Sequence, residues 1–164
     1  MKTWPSLIAM FIDQAQELGE KPFLWAKEDG KYGSVNWKEC TETVSALARG
    51  IKALGINKGD RILLCSESRP EWIIAYYAIM AAGGIVVPAY TTNTQNDHAH
   101  IIADSGAKGL IVSSKELAKN LVPAAHQTGN VSFIVSIDEL EQSQSSGINI
   151  LNWASAVETG RSEP

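Results

Sequence analysis

The chain has 164 residues, with 14 lysines and arginines against 18 aspartates and glutamates, so its formal net charge is −4. Hydrophobic residues make up 45% and charged residues 20%, a balance typical of a folded chain and unlike that of a disordered one. The length suits a single domain and excludes a large multidomain machine. The mild acidity excludes the concentrated basic face that nucleic-acid phosphates require, so we expect no nucleic-acid partner.

The two cysteines, Cys40 and Cys65, form no CxxC pair and each lies in an apolar stretch. This placement predicts two buried, reduced thiols. No stretch reaches the roughly 18 uninterrupted apolar residues of a membrane-spanning helix. Pro5 and Asp13 interrupt the profile of a signal peptide. We therefore expect a cytoplasmic protein.

The first part of the chain predicts a helix followed by a small β-hairpin. After Ser6, a plausible N-cap, apolar residues recur at helical spacing until Gly19. A short strand is predicted over 22–26, and residues 33–36, beyond the turn signal Asp29-Gly30, could be its partner strand in a hairpin.

A second helix is predicted directly after the hairpin. Asn36 and Glu39 have the spacing of a capping box, and Gly55 is a typical residue just beyond a helix C-terminus. Residues 1–57 therefore form a lead-in of helix, hairpin and helix.

Residues 58–137 predict a βαβ core. Four short apolar runs lie roughly 20–25 residues apart with helix-like sequence between them. They are Arg61–Cys65, Ile85–Pro88, Leu110–Val112 and Val131–Val135. Because these runs do not alternate with polar residues, they indicate strands covered on both faces, as in a mostly parallel sheet.

Three crossover helices are predicted between these strands. The first covers 71–82, with Ser68 to Glu71 read as a capping box. The second runs from 94–97 to Gly106, and the third runs from about 114 to 125 and is interrupted or ended near Pro123. Residues 138–164 predict a polar surface loop at 141–146, a short helix over 149–158 and a linker over 159–164.

The helix predicted over 72–82 carries no charged residue. A helix that is apolar all round is normally buried on more than one side. Either this domain buries it, or it packs against something outside this chain; a third reading is that its tyrosines and alanines form an acceptable surface. We expect the isolated chain to self-associate through exposed apolar surface.

Common catalytic and binding motifs are absent. The sequence has no GxGxxG, no GxxxxGK[ST] and no GxSxG, which disfavours a classical dinucleotide fold, a P-loop and a hydrolase elbow. His98 and His100 do not share a helix face, so no metal site is predicted, and histidines that are solvent-exposed or satisfied by a helix cap are expected. No catalytic residue and no cofactor-binding residue is assigned.

The candidate ligand residues lie beyond the ends of two strands. Tyr90, Thr91, Thr92 and Asn93 follow the strand at 85–88, and Arg69 follows the preceding strand. Ligands of open α/β sheets bind beyond the carboxyl ends of strands, and these hydroxyl and amide groups suit a polar ligand. The alternative is that the segment only turns the chain and caps the next helix.

Five segments carry a family resemblance: VNWKE at 35–39, LGINKGDRI at 54–62, SESRPEW at 66–72, AAGGIVVPAYTT at 81–92 and HIIADSGAK at 100–108. In order and spacing they resemble the N-terminal region of the adenylate-forming (AMP-binding) enzymes, most of all bacterial long-chain fatty-acid–CoA ligases. The resemblance implies that this α/β chain is part of the large N-terminal domain of that fold, so that 1–164 is an incomplete domain.

The resemblance implies a parent enzyme that uses ATP, Mg and CoA to convert a fatty acid to acyl-CoA, AMP and pyrophosphate through an acyl adenylate. The family's phosphate loop ending in Pro-Lys-Gly, its Tyr-Gly-x-Thr-Glu and Thr-Gly-Asp stretches and its C-terminal lysine are absent from this sequence. We therefore expect an inactive N-terminal fragment that binds no cofactor itself. A lipid substrate would also suit peripheral membrane contact. The alternative is a stand-alone small α/β binding or scaffolding domain.

Overall fold

A computed structural model describes residues 2–140 and 147–163 of the chain. In chain order these residues form α1 (Leu7–Leu18), β1 (Pro22–Glu28), β2 (Lys31–Asn36), α2 (Trp37–Ala53), β3 (Arg61–Cys65), α3 (Pro70–Ala81), β4 (Ile85–Ala89), α4 (Gln95–Ser105), β5 (Gly109–Val112), α5 (Lys115–Thr128), β6 (Phe133–Ser136), β7 (Asn149–Asn152) and α6 (Trp153–Ser162). Within these ranges, no helix combines the length and the apolar character needed to cross a membrane.

The main sheet has the strand order β4-β3-β5-β6-β7, and each neighbouring pair is parallel. β1 and β2 form a separate antiparallel hairpin. Its turn residues Asp29 and Gly30 both have positive φ, 48° and 80°, the conformation that tight hairpin turns require. The predicted parallel sheet and hairpin are confirmed.

The apolar runs are explained by burial on both faces of the sheet. In β3, Ile62 and Leu64 contact the layer that contains α1, α2, α3 and α6. Leu63 and Cys65, which alternate with them, contact the layer that contains α4 and α5. All four side chains are fully buried, so neither face of the strand leaves room for a polar residue.

The charge-free helix is buried largely by the chain itself. In α3, Ile74, Ala75, Ala78 and Ile79 are buried, and only Ala81 is exposed. The helix lies between the sheet and the lead-in elements α1 and α2. Its apolar surface therefore needs no further partner to explain it, which answers the question left open by the sequence.

A run of aromatic contacts joins the hairpin to α3. Successive ring centroids lie 3.6 Å apart for Phe23–Trp37, 5.8 Å for Phe11–Trp37, 4.1 Å for Phe11–Tyr77, 6.2 Å for Tyr76–Tyr77 and 5.2 Å for Trp72–Tyr76. Aromatic pairs with centroids about 4.5–7 Å apart each add about 0.5–1.5 kcal/mol beyond their buried area. The run therefore fixes the lead-in segment on the helix that follows β3.

Two predicted helix ends are confirmed and two are wrong. Asn36 and Glu39 form the predicted capping box, whereas α3 has Arg69 as N-cap without a side-chain cap bond, so the predicted box from Ser68 to Glu71 is wrong. The N-cap Ser6 is confirmed. α5 continues past Pro123 to Thr128; because Pro123 is exposed, water can satisfy the carbonyl that lacks its helical donor.

The end of the chain corrects two predictions. Residues 149–152 form β7 instead of the start of a helix, and α6 continues to Ser162 where a linker was expected. Asn152 separates the two elements, because its side chain accepts a hydrogen bond from the Ser155 N–H at 2.7 Å and caps α6. The predicted loop at 141–146 lies outside the described residues.

Two glycines allow α6 to pack directly on α2. A Cβ atom built on Gly160 would lie 1.7 Å from the carbonyl oxygen of Ala46, and one on Gly50 would lie 2.1 Å from that of Ala156. Arg49 Nε also donates to the Gly160 carbonyl at 2.6 Å. The backbones of the two helices therefore touch at positions that tolerate no side chain.

We expect Gly160→Ala to lower the free energy of unfolding by about 3 kcal/mol, because the added methyl forces the two backbones apart. Gly33→Ala is the matched control, since a Cβ at Gly33 meets nothing within 4 Å, and should change the stability by less than about 0.5 kcal/mol. Urea denaturation followed by circular dichroism measures both. Equal stabilities of the two variants would contradict the close packing of α6 on α2.

Candidate functional site

Because the main sheet is parallel, the loops that follow its strands meet at one edge. Residues 66–69 follow β3, 90–94 follow β4 and 113–114 follow β5. β4 and β5 flank β3 on opposite sides, and the crossovers α3 and α5 pack in opposite layers. The crevice between the ends of β3 and β5 is therefore a topological switch point, where open α/β sheets usually bind ligands.

Side chains of the protein itself bridge this crevice. The Glu67 carboxylate accepts hydrogen bonds from the hydroxyls of Ser113 and, at 3.4 Å, Ser114. Ser113 is fully buried, and its bond is the main reason that the pKa of Glu67 lies below its usual value. Ser114 also caps α5. We call this cluster of Glu67, Ser113 and Ser114 the switch-point bridge.

Arg69, a predicted ligand residue, is engaged by carboxylates. Its Nε and Nη2 donate to Glu71 at 2.8 and 3.1 Å, and its Nη1 lies 3.9 Å from Asp138 Oδ1. The bond to Glu71 raises the pKa of the guanidinium. The structure thus places Arg69 in an ion-pair group beside the bridge.

A cavity of about 510 Å³ opens at the ends of β3 and β4, and we call it the edge cavity. Its lining combines aromatic surface, hydroxyl groups and one carboxylate: Ser66, Glu67, Ser68, Trp72, Pro88, Ala89, Tyr90 and Thr91. With no cationic side chain in the lining, it suits a neutral organic ligand better than a phosphate. Tyr90 and Thr91 are the two predicted site residues that the structure brings to it.

The remaining candidates, Thr92 and Asn93, do not line the edge cavity. Thr92 is exposed. The Asn93 N–H donates to the Tyr90 carbonyl at 3.3 Å, and the Asn93 carbonyl accepts from Asn120 Nδ2 at 3.3 Å. These bonds shape the turn that leads into α4, whose N-cap Thr94 forms a capping box.

The two thiols are buried, as predicted. Burial raises the pKa of Cys40 to about 12, and burial together with the charge of Glu67 raises the pKa of Cys65 to about 11. Cys65 Sγ lies 3.8 Å from the Tyr90 carbonyl, to which it donates a weak hydrogen bond below the edge cavity. Buried thiols with raised pKa values are poor nucleophiles near neutral pH.

The histidines require one correction. His100 and His126 are exposed as expected, but His98 is only 1% exposed. His98 and Ile102 lie one turn apart on α4 and both face the core. Within the described ranges, no three His, Cys, Asp or Glu side chains are close enough to hold a metal ion.

Trp72 is an aromatic cavity residue that the sequence did not predict. It lies in the first turn of α3, and the first turn of a crossover helix starts at the carboxyl edge of a parallel sheet. The spacing between the end of β3 and Trp72 was therefore the available signal. Its ring stacks on Tyr76, with centroids 5.2 Å apart, so one wall of the cavity is held in place by the aromatic run.

Comparison with known proteins decides the family. The model of the family "AMP-binding enzyme" matches residues 11–161 of the chain. The chain belongs to the AMP-binding enzyme family. It is 32% identical over 124 residues to the long-chain-fatty-acid–CoA ligase FadD15 of Mycobacterium tuberculosis, an alignment that covers 76% of this chain and 20% of the relative. It is 30% identical over 128 residues to the long chain acyl-CoA synthetase 3 of Arabidopsis thaliana, covering 75% and 19%.

Solved structures of similar shape are adenylate-forming domains. The adenylation domain of the Mycobacterium chelonae carboxylate reductase gives a TM-score of 0.84 at 16% identity, covering 99% of this chain and 30% of that one. The anthranilate CoA ligase AuaEII gives 0.82 at 18%, covering 96% and 29%. The chain has the fold of this family and spans about a fifth of the length of the curated relatives.

Replacing Glu67 tests the switch-point bridge. The folded state holds the pKa of Glu67 below its unfolded value, so its stabilising effect is complete above about pH 4.3 and is lost as the pH falls further. We expect Glu67→Gln to lower the unfolding free energy by up to about 1 kcal/mol at neutral pH, and this loss should shrink as the pH falls below about 4.3.

A double-mutant cycle with Ser113→Ala isolates the bond between the two side chains. The bridge predicts coupling between the two substitutions in urea denaturation at neutral pH. Glu116→Gln, at an exposed carboxylate, is the control and should change stability by less than about 0.5 kcal/mol. Strictly additive effects of the Glu67 and Ser113 substitutions would show that no such bond contributes.

The thiols give a further test. Since both pKa values lie far above neutral pH, we expect a disulfide reagent at about pH 8 to label neither Cys40 nor Cys65 in the folded chain and both after unfolding in urea. Rapid labelling of either thiol in the folded chain would contradict their burial.

Proposed function

We propose that this chain forms the N-terminal part of an ATP-dependent, AMP-forming long-chain fatty-acid–CoA ligase. Such an enzyme joins a fatty-acid carboxylate to the α-phosphate of ATP, releasing pyrophosphate, and the CoA thiol then displaces AMP to give acyl-CoA. The observation that carries the proposal is the family match over 11–161 together with relatives named as long-chain ligases.

We propose that the chain alone is inactive. The sequence lacks a Ser/Thr/Gly-rich loop followed by Pro-Lys-Gly, and no cation lines the edge cavity, so the lining of that cavity would not neutralise a triphosphate. Within the described ranges, no group of three His, Cys, Asp or Glu side chains could hold a metal ion. We therefore assign the binding of ATP, Mg²⁺ and CoA to the parent enzyme. This chain would contribute to that enzyme the parallel sheet, its covering helices and the carboxyl edge of the sheet.

A second candidate is a stand-alone α/β domain that binds a ligand or scaffolds another chain. The edge cavity favours it, because Trp72 and Tyr90 give it aromatic walls and Tyr90 is 81% exposed. Aromatic side chains beside hydroxyl groups are typical of small-molecule pockets. This candidate requires binding by the chain without catalysis.

An ATP–pyrophosphate exchange assay with a long-chain fatty acid tests the first proposal. We expect no exchange above background from this chain, whereas full-length FadD15 under the same conditions serves as positive control. Measurable exchange by the chain would overturn its assigned inactivity.

Tryptophan fluorescence separates the two candidates. Fatty acid, CoA and ATP are titrated separately into the wild-type chain and Trp72→Phe. A saturable change that is present in the wild type and lost in Trp72→Phe would favour the binding domain; no change with any of the three agrees with the inactive ligase part.

Self-association, peripheral membrane contact and a cytoplasmic location also stay proposals. Among the residues that the structure describes, six large apolar side chains are exposed, and none belongs to α3: Leu7, Ile12, Trp25, Tyr32, Ile85 and Tyr90. They support association through the hairpin, α1 or the β4 edge. We expect light scattering to show a mass that rises with concentration; a constant monomer mass would count against it. The two buried reduced thiols agree with a reducing compartment.

A further inference from the structure

His98 is the one histidine buried within the described ranges, and the proposed function does not use it. It is 1% exposed and packs in the layer with Ala99 and Ile102. Its Nδ1 atom is buried and has no hydrogen-bond partner in the part of the chain that the structure describes. A neutral imidazole tolerates this place, but an imidazolium would carry a charge with an unsatisfied N–H.

The residues of α4 around His98 do little to stabilise a charged imidazolium at this position. His98 lies in the first turn of α4, where the helix dipole disfavours a positive charge. Burial lowers the pKa of His98, and the charge of Asp97 opposes that shift only in part. The Asp97 carboxylate already accepts hydrogen bonds from the Thr94 N–H and hydroxyl, both within 2.9 Å.

The neighbouring elements supply no second carboxylate. α5, which packs on α4, carries only exposed ionisable groups: Lys115, Glu116, Lys119 and His126. On α4 itself, His100 and Asp104 are exposed. In β3, Arg61 is bonded to the Ser105 and Gly106 carbonyls at the opposite end of α4, and the thiol of Cys65 is neutral. β4 carries no charged residue.

The segment in front of His98 is held by few contacts. Thr94 caps α4, and the preceding turn is tied to other elements through the Asn120 amide and the Cys65 thiol, at 3.3 and 3.8 Å. The side-chain nitrogen of Asn93 is a second buried polar atom without a partner among the described residues. Segments held so weakly open at a smaller free-energy cost than the core.

We propose that His98 is an acid-sensitive latch: when its imidazole takes up a proton, the first turn of α4 and residues 90–94 loosen from the sheet. Water then reaches the imidazolium, which relieves the buried charge. Because Tyr90 and Thr91 line the edge cavity, the same movement widens that cavity or removes the wall that these two residues form. The inference rests on the packing of His98 and is independent of the proposed ligase function.

The sign of the pH dependence follows from burial. The folded state binds the proton on His98 less readily than the unfolded state, so the contribution of the latch is complete above the unfolded pKa of about 6.5 and falls as the solution becomes more acidic. Opening of residues 90–98 should become up to about tenfold more favourable for each pH unit below that value.

Amide hydrogen exchange measured by mass spectrometry tests the latch at about pH 7.5 and about pH 5.5, after correction for the intrinsic exchange rate. We expect protection of residues 90–98 to fall at the lower pH in the wild type and in His100→Gln, the matched control at an exposed histidine of the same helix. His98→Gln, which cannot be protonated, should show no such fall.

Three outcomes would overturn the proposal. They are an unchanged protection of 90–98 in the wild type, an equal fall in His98→Gln, and an equal fall across β5 and β6, which would indicate global unfolding. If His98→Gln does not fold, an NMR titration of the His98 ring in the wild type replaces it: protonation of the ring must coincide with the loss of protection.

Discussion

The position of α3 is the constraint on which the rest of the structure depends. This helix connects β3 to β4 and is covered on its outer side by α1 and α2, through an aromatic run whose closest stacks are Phe23–Trp37 and Phe11–Tyr77. Because α3 begins at the carboxyl edge of the sheet, whatever holds the helix also holds Trp72 and the loop before it. The lead-in segment therefore belongs to the same cooperative unit as the candidate site, although it lies far from the site in sequence.

Local sequence patterns predicted the sheet because its strands are buried on both faces. In runs such as Arg61–Cys65, apolar residues follow one another without alternating polar residues, as in a strand that is buried on both faces. The same criterion failed for β7, an edge strand with only two central apolar residues, Ile150 and Leu151, between asparagines. A helix reading was equally compatible with so short a pattern. The predicted α6 was too short because Gly160 and its polar neighbours are typical of a linker. In the fold, Gly160 is a position at which the backbone of α6 contacts that of α2.

The sheet topology predicts where the candidate site lies, but it does not predict which side chains contact one another there. Strand order and loop position indicate the carboxyl edge, and Tyr90 and Thr91 lie there. The bridge between Glu67 and Ser113 joins residues 46 positions apart, and no local spacing encodes such a contact. Arg69 was expected to bind a ligand because it follows a strand at the carboxyl edge, but in the fold its guanidinium is bonded to Glu71. The spacing of His98 and Ile102 on α4 did contain the signal for a buried histidine, but a polar residue in a first turn is usually read as solvated.

The free edge of β4 shows how association would be restricted. The Ile85 N–H donates to the Asp60 carbonyl at 2.8 Å, so the backbone N–H and C=O groups of Ile85, Val87 and Ala89 point toward β3. Because backbone groups alternate in direction along a strand, those of Val86 and Pro88 point away from β3. Proline has no N–H, which leaves Val86 as the single outward donor on this strand. An incoming strand would find too few partners for a stable ladder, a common protection of natural sheet edges. A partner of this edge must therefore bind chiefly through side chains such as Ile85 and Tyr90, whether it is a second copy or another polypeptide. Such a contact would be hydrophobic and side-chain specific, and it would not continue the sheet.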